Sequence, residues 1–197
     1  MSSEITKLGD SFGASASYGG GSVETVGLEG TYVATCFDAD GNEKWSDTIK
    51  NLTTNVGRAN LMNSYFGNTG GGAIVMGLGG ANGSGTFTPA YGDTQASHAG
   101  WFEVGGANAP TYSGTRKTPS FSAATTANPS VLSTSAAVVF SMTGSGTVWG
   151  AFINVGGSTA IDNTTGVLFS IGAFTAGSKT VTSGDTINVT YTLSAAG

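Results

Sequence analysis

The chain has 197 residues, a net charge of −5 and a pI near 4.5, and only 10% of it is charged. Seven Lys and Arg residues spread along it give no clustered basic surface, which excludes a conventional nucleic-acid binder. Thirty-three glycines, with abundant Ser and Thr, disfavour long helices and suit many turns and Thr-rich strand faces, while the length suits one core.

The opening residues, Met1 to Lys7, hold no apolar segment of the kind a signal peptide needs, and no apolar stretch reaches membrane length. The expectation is a protein made in a host cytoplasm, with no membrane partner. Residues 1–22 read as an arm, because Gly13 to Ser22 has no hydrophobic period and little apolar content. Phe12 and Tyr18 are its only large aromatic groups. The arm is either a frayed terminus or a strap that orders against a neighbouring subunit, with those two residues as its contacts. Residues 23–197 form the β-sandwich domain.

Two strands are expected over Gly30–Phe37 and Glu43–Lys50, joined by the hairpin loop Asp38-Ala39-Asp40-Gly41-Asn42. That loop is no calcium loop: Gly41 falls fourth rather than sixth, and Ile49 stands where the twelfth-position Glu belongs. Thr53 or Thr54 can cap one helix, Asn55–Phe66, which Gly67 stops. Its stripe of Leu61, Met62, Tyr65 and Phe66 is expected to face the core. Gly77 to Gly83 is not a dinucleotide fingerprint, since its third glycine comes one place late and no helix follows. Ala73–Met76 is a short apolar run, and Trp101–Val104 reads as a strand. Further strands are expected over Val131–Met142, Thr147–Val155, Gly166–Phe174, Lys179–Thr182 and Asp185–Leu193. The last of these alternates strictly. Ile187, Val189, Tyr191 and Leu193 fall on one side, with Thr186, Asn188, Thr190 and Thr192 on the other, as in a strand with one buried and one wet face. Short strands with turns every ten residues or so argue an all-β sandwich or barrel.

Little in the sequence carries chemistry. His98 is the only histidine, with Asp93 and Glu103 five residues away on either side, but no Gly-x-Ser-x-Gly elbow accompanies it. It reads as a structural hydrogen-bonding group near Trp101. One His and one Cys cannot make the common metal sites, and Cys36 lies in a strand pattern as a small buried hydrophobe. No catalytic residue, cofactor or metal is assigned. Trp149 is expected in the core, whereas Tyr91 and Tyr112 lie in loops and are the candidates for contacts with a partner or a glycan.

The order of features resembles a known group. Glu43, Lys44, Trp45, Asp47, Ile49, Asn51, Leu52 and Thr53 precede the helix with Leu61 and Phe66. Then come Asp93, Thr94, Ala96, Ser97, His98, Gly100, Trp101 and Glu103, followed by Tyr112 and Arg116. Val148, Gly150, Ala151 and Phe152 follow, and Val181, Gly184, Asp185, Ile187, Val189, Tyr191 and Thr192 close the pattern. From about Trp45 to Leu193 this is similar to small virion structural proteins of tailed bacteriophages, through loose motifs. The resemblance implies a jelly-roll-like β-sandwich with one short flanking helix. It also implies a non-enzymatic capsid decoration (cement) protein on the outer capsid surface of the virion, a homo-oligomer, most simply a trimer, that bridges neighbouring major capsid proteins. The alternative is a tail or head fibre, or an adhesin domain, binding host-surface glycans through loop aromatics. A hydrolase is the third reading.

Overall fold

The structure is a computed structural model that describes residues 27–69 and 71–196. The expected arm, with Phe12 and Tyr18, lies outside the described residues. The elements in order are β1 (Gly27–Phe37), β2 (Glu43–Thr53), α1 (Asn55–Tyr65), β3 (Ile74–Ala81), β4 (Trp101–Val104), β5 (Ser130–Ser133), β6 (Val138–Ser141), β7 (Gly146–Val148), β8 (Gly150–Val155), β9 (Val167–Phe174), β10 (Lys179–Val181) and β11 (Thr186–Ala196). This is an all-β sandwich with one short helix, as expected.

All strand pairings are antiparallel. A nine-stranded sheet runs β4-β3-β8-β9-β2-β1-β11-β5, with β6 also on β11, and β7 and β10 form a separate ribbon. The large sheet folds over on itself, so that β3 and β8 share one core with β1, β6 and β11. Residues 111–117 span the gap between its ends. Met76 and Lys117 exchange backbone hydrogen bonds of 2.7 and 2.9 Å, and Tyr112 bridges to Met142 just past β6. The C-terminal strand lies inside the sheet, pairing β1 along its whole length from Phe37↔Thr186 to Gly27↔Ala196. Its alternation holds as read, with Ile187, Val189 and Tyr191 buried and Thr190 exposed. Tyr32 of β1 sits opposite Tyr191, ring centroids 4.6 Å apart, and shares a 2.6 Å hydrogen bond with the Ser170 hydroxyl of β9.

β3, β8 and β9 are buried on both faces. Their second face carries a smaller core of Trp101, Phe152, Leu168 and Ile171 under the 82–100 loop. A β-bulge changes the side-chain parity within β9. Ile153 pairs with Ser170 but Asn154 with Leu168, which leaves Phe169 as the extra residue. Leu168 and Ile171 thereby face the small core, while Phe169 faces the large one.

Two expected strands are divided. Val131–Met142 becomes β5 and β6, both on β11. Residues 134–137 loop out between them opposite Thr190 and Tyr191, where Thr134 exchanges backbone and hydroxyl contacts with Tyr191. Thr147–Val155 breaks at half-buried Trp149, where the chain leaves the β7–β10 ribbon and enters the large sheet. The 38–42 loop is a hairpin turn as read. Gly41 has φ +86°, and the Asp38 carboxylate accepts from the Asn42 N–H at 2.8 Å. Cys36 is fully buried as expected. Desolvation, and then the nearby Asp185 carboxylate, push its thiol up to about 11.

The helix departs from expectation in its rotation. Thr54 is the N-cap: its hydroxyl oxygen accepts from the Gly57 N–H at 2.9 Å and donates to the Leu168 carbonyl of the bulged strand. Its own N–H donates to the Phe169 carbonyl at 3.1 Å. Gly57 then lies flat on Phe169, where a Cβ would come within 2.8 Å of the Phe169 Cα. Gly57, Asn60 and Ser64 therefore turn towards the sheet, and the apolar stripe turns away. At about 100° per residue, Phe66 falls about 180° round from Gly57. Tyr65 is 82% and Phe66 84% exposed, with Leu61 and Met62 also exposed, so the stripe read as core is surface.

Removing the cap with Thr54→Ala is expected to cost about 1–2 kcal/mol in urea denaturation, with Thr54→Ser retaining most of it. A second expectation concerns acid. Burial alone would raise the Asp47 carboxyl, but hydrogen bonds from Thr175, Lys179, Ala176 and Thr48 outweigh it and hold it at about 2. A carboxyl depressed in the folded state contributes stability above its unfolded value of about 3.9, and that contribution disappears as pH falls towards 2. Melting temperature should therefore drop between about pH 4 and 2, less steeply in Asp47→Asn than in the parent chain.

Candidate functional site

Three places carry side chains that could act. The first is an ionic knot. Glu103 of β4 and Arg116 of the bridging segment form a bidentate pair, Nε to Oε1 at 2.8 Å and Nη2 to Oε2 at 2.7 Å, with side chains 3% and 0% exposed. Four of the five guanidinium N–H groups have an acceptor. Arg116 donates to the Ser158 and Asn163 carbonyls, and Glu103 accepts from the Asp162 N–H. The guanidinium also lies 5.5 Å from the centre of the Phe152 ring. A pair so extensively bonded is architecture: it ties the 156–166 loop and the 111–117 bridge to β4.

His98 sits beside this knot, in a cleft of about 200 Å³ shared with Gln95, Asp162 and Asn163. Its ring stacks on Trp101 at 3.9 Å, and Nδ1 lies 3.0 Å from the Trp101 carbonyl, which can only accept. The two acids flanking it in sequence are engaged elsewhere. Asp93 accepts from the Trp101 indole N–H at 3.0 Å, and Glu103 holds Arg116. The residues that a Ser–His–acid reading would join are thus not brought together. Among the described residues, no three or more His, Cys, Asp or Glu side chains gather as a metal set. No described helix is long and apolar enough to cross a membrane.

The second place is around Tyr91, which is 58% exposed as expected of a contact residue. Its carbonyl accepts from the Asn55 N–H at the start of α1, and Arg58 lies 5.6 Å from its ring centre. The ring borders a polar recess with Asn51, Thr53 and Arg58. Tyr112, the other loop aromatic, is a correction. It is 3% exposed, packed edge-on against Phe140 and against Gly105, whose φ of +115° brings the backbone onto the ring. The loop that holds it is the hydrogen-bonded bridge across the sheet, so its aromatic points inward. Burial, and then the Glu103 charge, hold its hydroxyl far above the usual range.

The third place is apolar. A cleft of about 230 Å³ opens where the folded sheet is not closed, lined by Leu61, Ile74, Leu132, Ile153, Phe169 and Leu193 among others. No charged side chain lines it. Its rim includes Asn60, Leu61 and Ser64 of α1, and farther round the helix Met62, Tyr65 and Phe66 are exposed, with Tyr65 and Phe66 edge to face at 5.0 Å. Large exposed apolar side chains on a chain with few charges make this end of the helix the candidate contact surface. The sequence contained the signal, a helical apolar stripe, but not the direction in which it points.

The chain matches no family model, no curated protein and no solved structure.

Breaking the knot should be costly. Glu103→Gln leaves a buried guanidinium without its counter-charge and is expected to lose about 3–5 kcal/mol by chemical denaturation. Replacing both partners together, Glu103→Leu with Arg116→Met, should recover much of that loss.

Proposed function

We propose that the chain is a non-enzymatic structural protein that works by docking, as a capsid decoration protein on the outer surface of a tailed-phage virion. The observation that carries the docking role is the outward-facing end of α1. Met62, Tyr65 and Phe66 stand in solvent, and aromatic side chains of this kind dominate binding energy when a partner covers them. The virion setting draws its support from the sequence resemblance between about Trp45 and Leu193. In this reading the helix end meets the major capsid protein, and the chain assembles as a symmetric homo-oligomer, most simply a trimer.

A second reading has one observation in its favour. The exposed Tyr91 ring, with Arg58 and Asn51 beside it, has the make-up of a sugar-stacking platform, which suits a fibre or adhesin domain that binds host glycans. Copy number separates the two, since a decoration protein matches the capsid lattice and a fibre matches the tail or vertex.

Tyr65→Ser with Phe66→Ser changes two exposed residues, so unfolding stability should stay within about 0.5 kcal/mol. Attachment to particles stripped of the protein should weaken by roughly ten- to hundredfold, the worth of one or two interface anchors. Unchanged decoration by this variant, together with loss of attachment in Tyr91→Ala, would shift the assignment to the glycan reading.

A further inference from the structure

The recess beside Tyr91 brings an exposed aromatic ring and a cation together, with no acidic residue in its lining. We propose that it takes a carboxylate-bearing sugar, with the sugar ring stacked on Tyr91 and its carboxylate held by Arg58. Such a ligand presupposes the glycan reading above and narrows it to one chemical class; the docking role of the helix end is independent of it.

Both groups are held in place through the backbone, from segments far apart in sequence. Tyr91 sits in a closed turn. The Asp93 N–H donates to the Ala90 carbonyl at 3.0 Å, and the Asp93 carboxylate accepts from the Ala90 N–H at 2.9 Å. The Tyr91 carbonyl accepts from the Asn55 N–H at 2.9 Å, which ties that turn to the start of α1. Arg58 follows in the first turn of that helix, and its Nη2 donates to the Asn55 Oδ1 at 2.5 Å. The guanidinium stands 5.6 Å from the Tyr91 ring centre. The floor of the recess is equally fixed. Asn51 lies against Gly30, where a Cβ would come within 2.6 Å of the Asn51 Cγ, and its amide donates to the Tyr191 hydroxyl at 3.0 Å. A site whose parts are ordered before the ligand arrives loses little entropy on binding.

The lining selects the ligand. Leu28, Asn51, Leu52, Thr53, Arg58 and Tyr91 surround about 240 Å³, space for a single sugar unit, and Arg58 is the only charged residue among them. The three ion pairs of the described residues do not include Arg58, and its bond to Asn55 ends on a neutral oxygen. Asp93, two residues from Tyr91, is turned to the Trp101 indole N–H and lies outside the lining. On a chain of net charge −5 the recess is thus a local positive site. A planar guanidinium recognises a carboxylate through paired, charge-assisted hydrogen bonds. Tyr91 is 58% exposed, and a ring with an apolar face and a hydroxyl suits the C–H face and hydroxyls of a pyranose. The Asn51 amide and the Thr53 hydroxyl add hydrogen-bonding groups for further sugar hydroxyls. A bare anion would leave the ring unused, and a neutral sugar would leave the cation unused.

Titration of the isotope-labelled full chain, followed through its amide chemical shifts, tests this with sialyllactose, trigalacturonate and, as the neutral control, lactose. At least one of the acidic sugars should bind about tenfold or more tightly than lactose and shift the Arg58 and Tyr91 amides. Which of them does so separates a sialic acid from a uronic acid. Arg58→Gln should weaken that sugar by roughly ten- to hundredfold, the worth of a charged hydrogen-bonded pair, and leave lactose unchanged. Tyr91→Ala should weaken acidic and neutral sugars alike, with Tyr91→Phe close to the parent chain. Both side chains are exposed, so an unchanged melting temperature verifies that these variants fold. Lactose bound as tightly as the acidic sugars, or an acidic preference that survives Arg58→Gln, would overturn the proposal and leave the glycan reading standing. Binding of none of the three would overturn both.

Discussion

The extra residue in β9 is the constraint on which most of the architecture depends. Without Phe169 out of step, Leu168 and Ile171 would fall on opposite faces of β9. With it, Leu168 and Ile171 close the small core around Trp101 and Phe152, while Phe169 joins the large one. The same irregularity frees the carbonyls of Leu168 and Phe169 from the ladder, and Thr54 takes both. The helix is thereby docked on the bulge itself, through a hydroxyl and a glycine rather than through its apolar residues. A local defect in one strand thus sets the rotation of the helix, and the rotation leaves four large apolar side chains outside.

Charge is used sparingly and locally. Three ion pairs appear among the described residues, and each ties a loop or turn to the sheet. Lys44–Asp185, at 2.6 Å, holds the turn before β11, and Asp185 also accepts from the Thr182 N–H and hydroxyl. Lys179–Asp47 pins the β9–β10 connection to β2. Glu103–Arg116 is buried outright and joins three segments far apart in sequence. Six of the nineteen charged side chains stand in these pairs.

The parts of this fold that were legible in the sequence are those set by local periodicity. The alternation of β11, the Asp-Gly hairpin after β1 and the Thr54 cap were all readable, because each depends on residues close together in the chain. What could not be read depends on distant partners. Val131–Met142 reads as one strand, and only its pairing with β11, with four residues looped out against two, divides it. The helical stripe shows that an apolar face exists, but the contact between Gly57 and Phe169 decides where it points. Tyr112 reads as a loop aromatic because the bridge that buries it pairs with Met76 and Met142, some thirty to forty residues away in either direction. Glu103 and Arg116 were visible individually, but nothing in their spacing joins them.

The single thiol gives the molecule a built-in chemical clock. Cys36 lies one residue from the hairpin end of β1, between β2 and β11, with no exposed surface. With its proton held to about 11, only about one molecule in a thousand carries a thiolate at pH 8. An alkylating reagent can therefore reach this sulfur only when β1 parts from its neighbours beside the 38–42 hairpin. The rate of alkylation reads the opening of that end of the sheet. It does so without any introduced probe, in dilute solution.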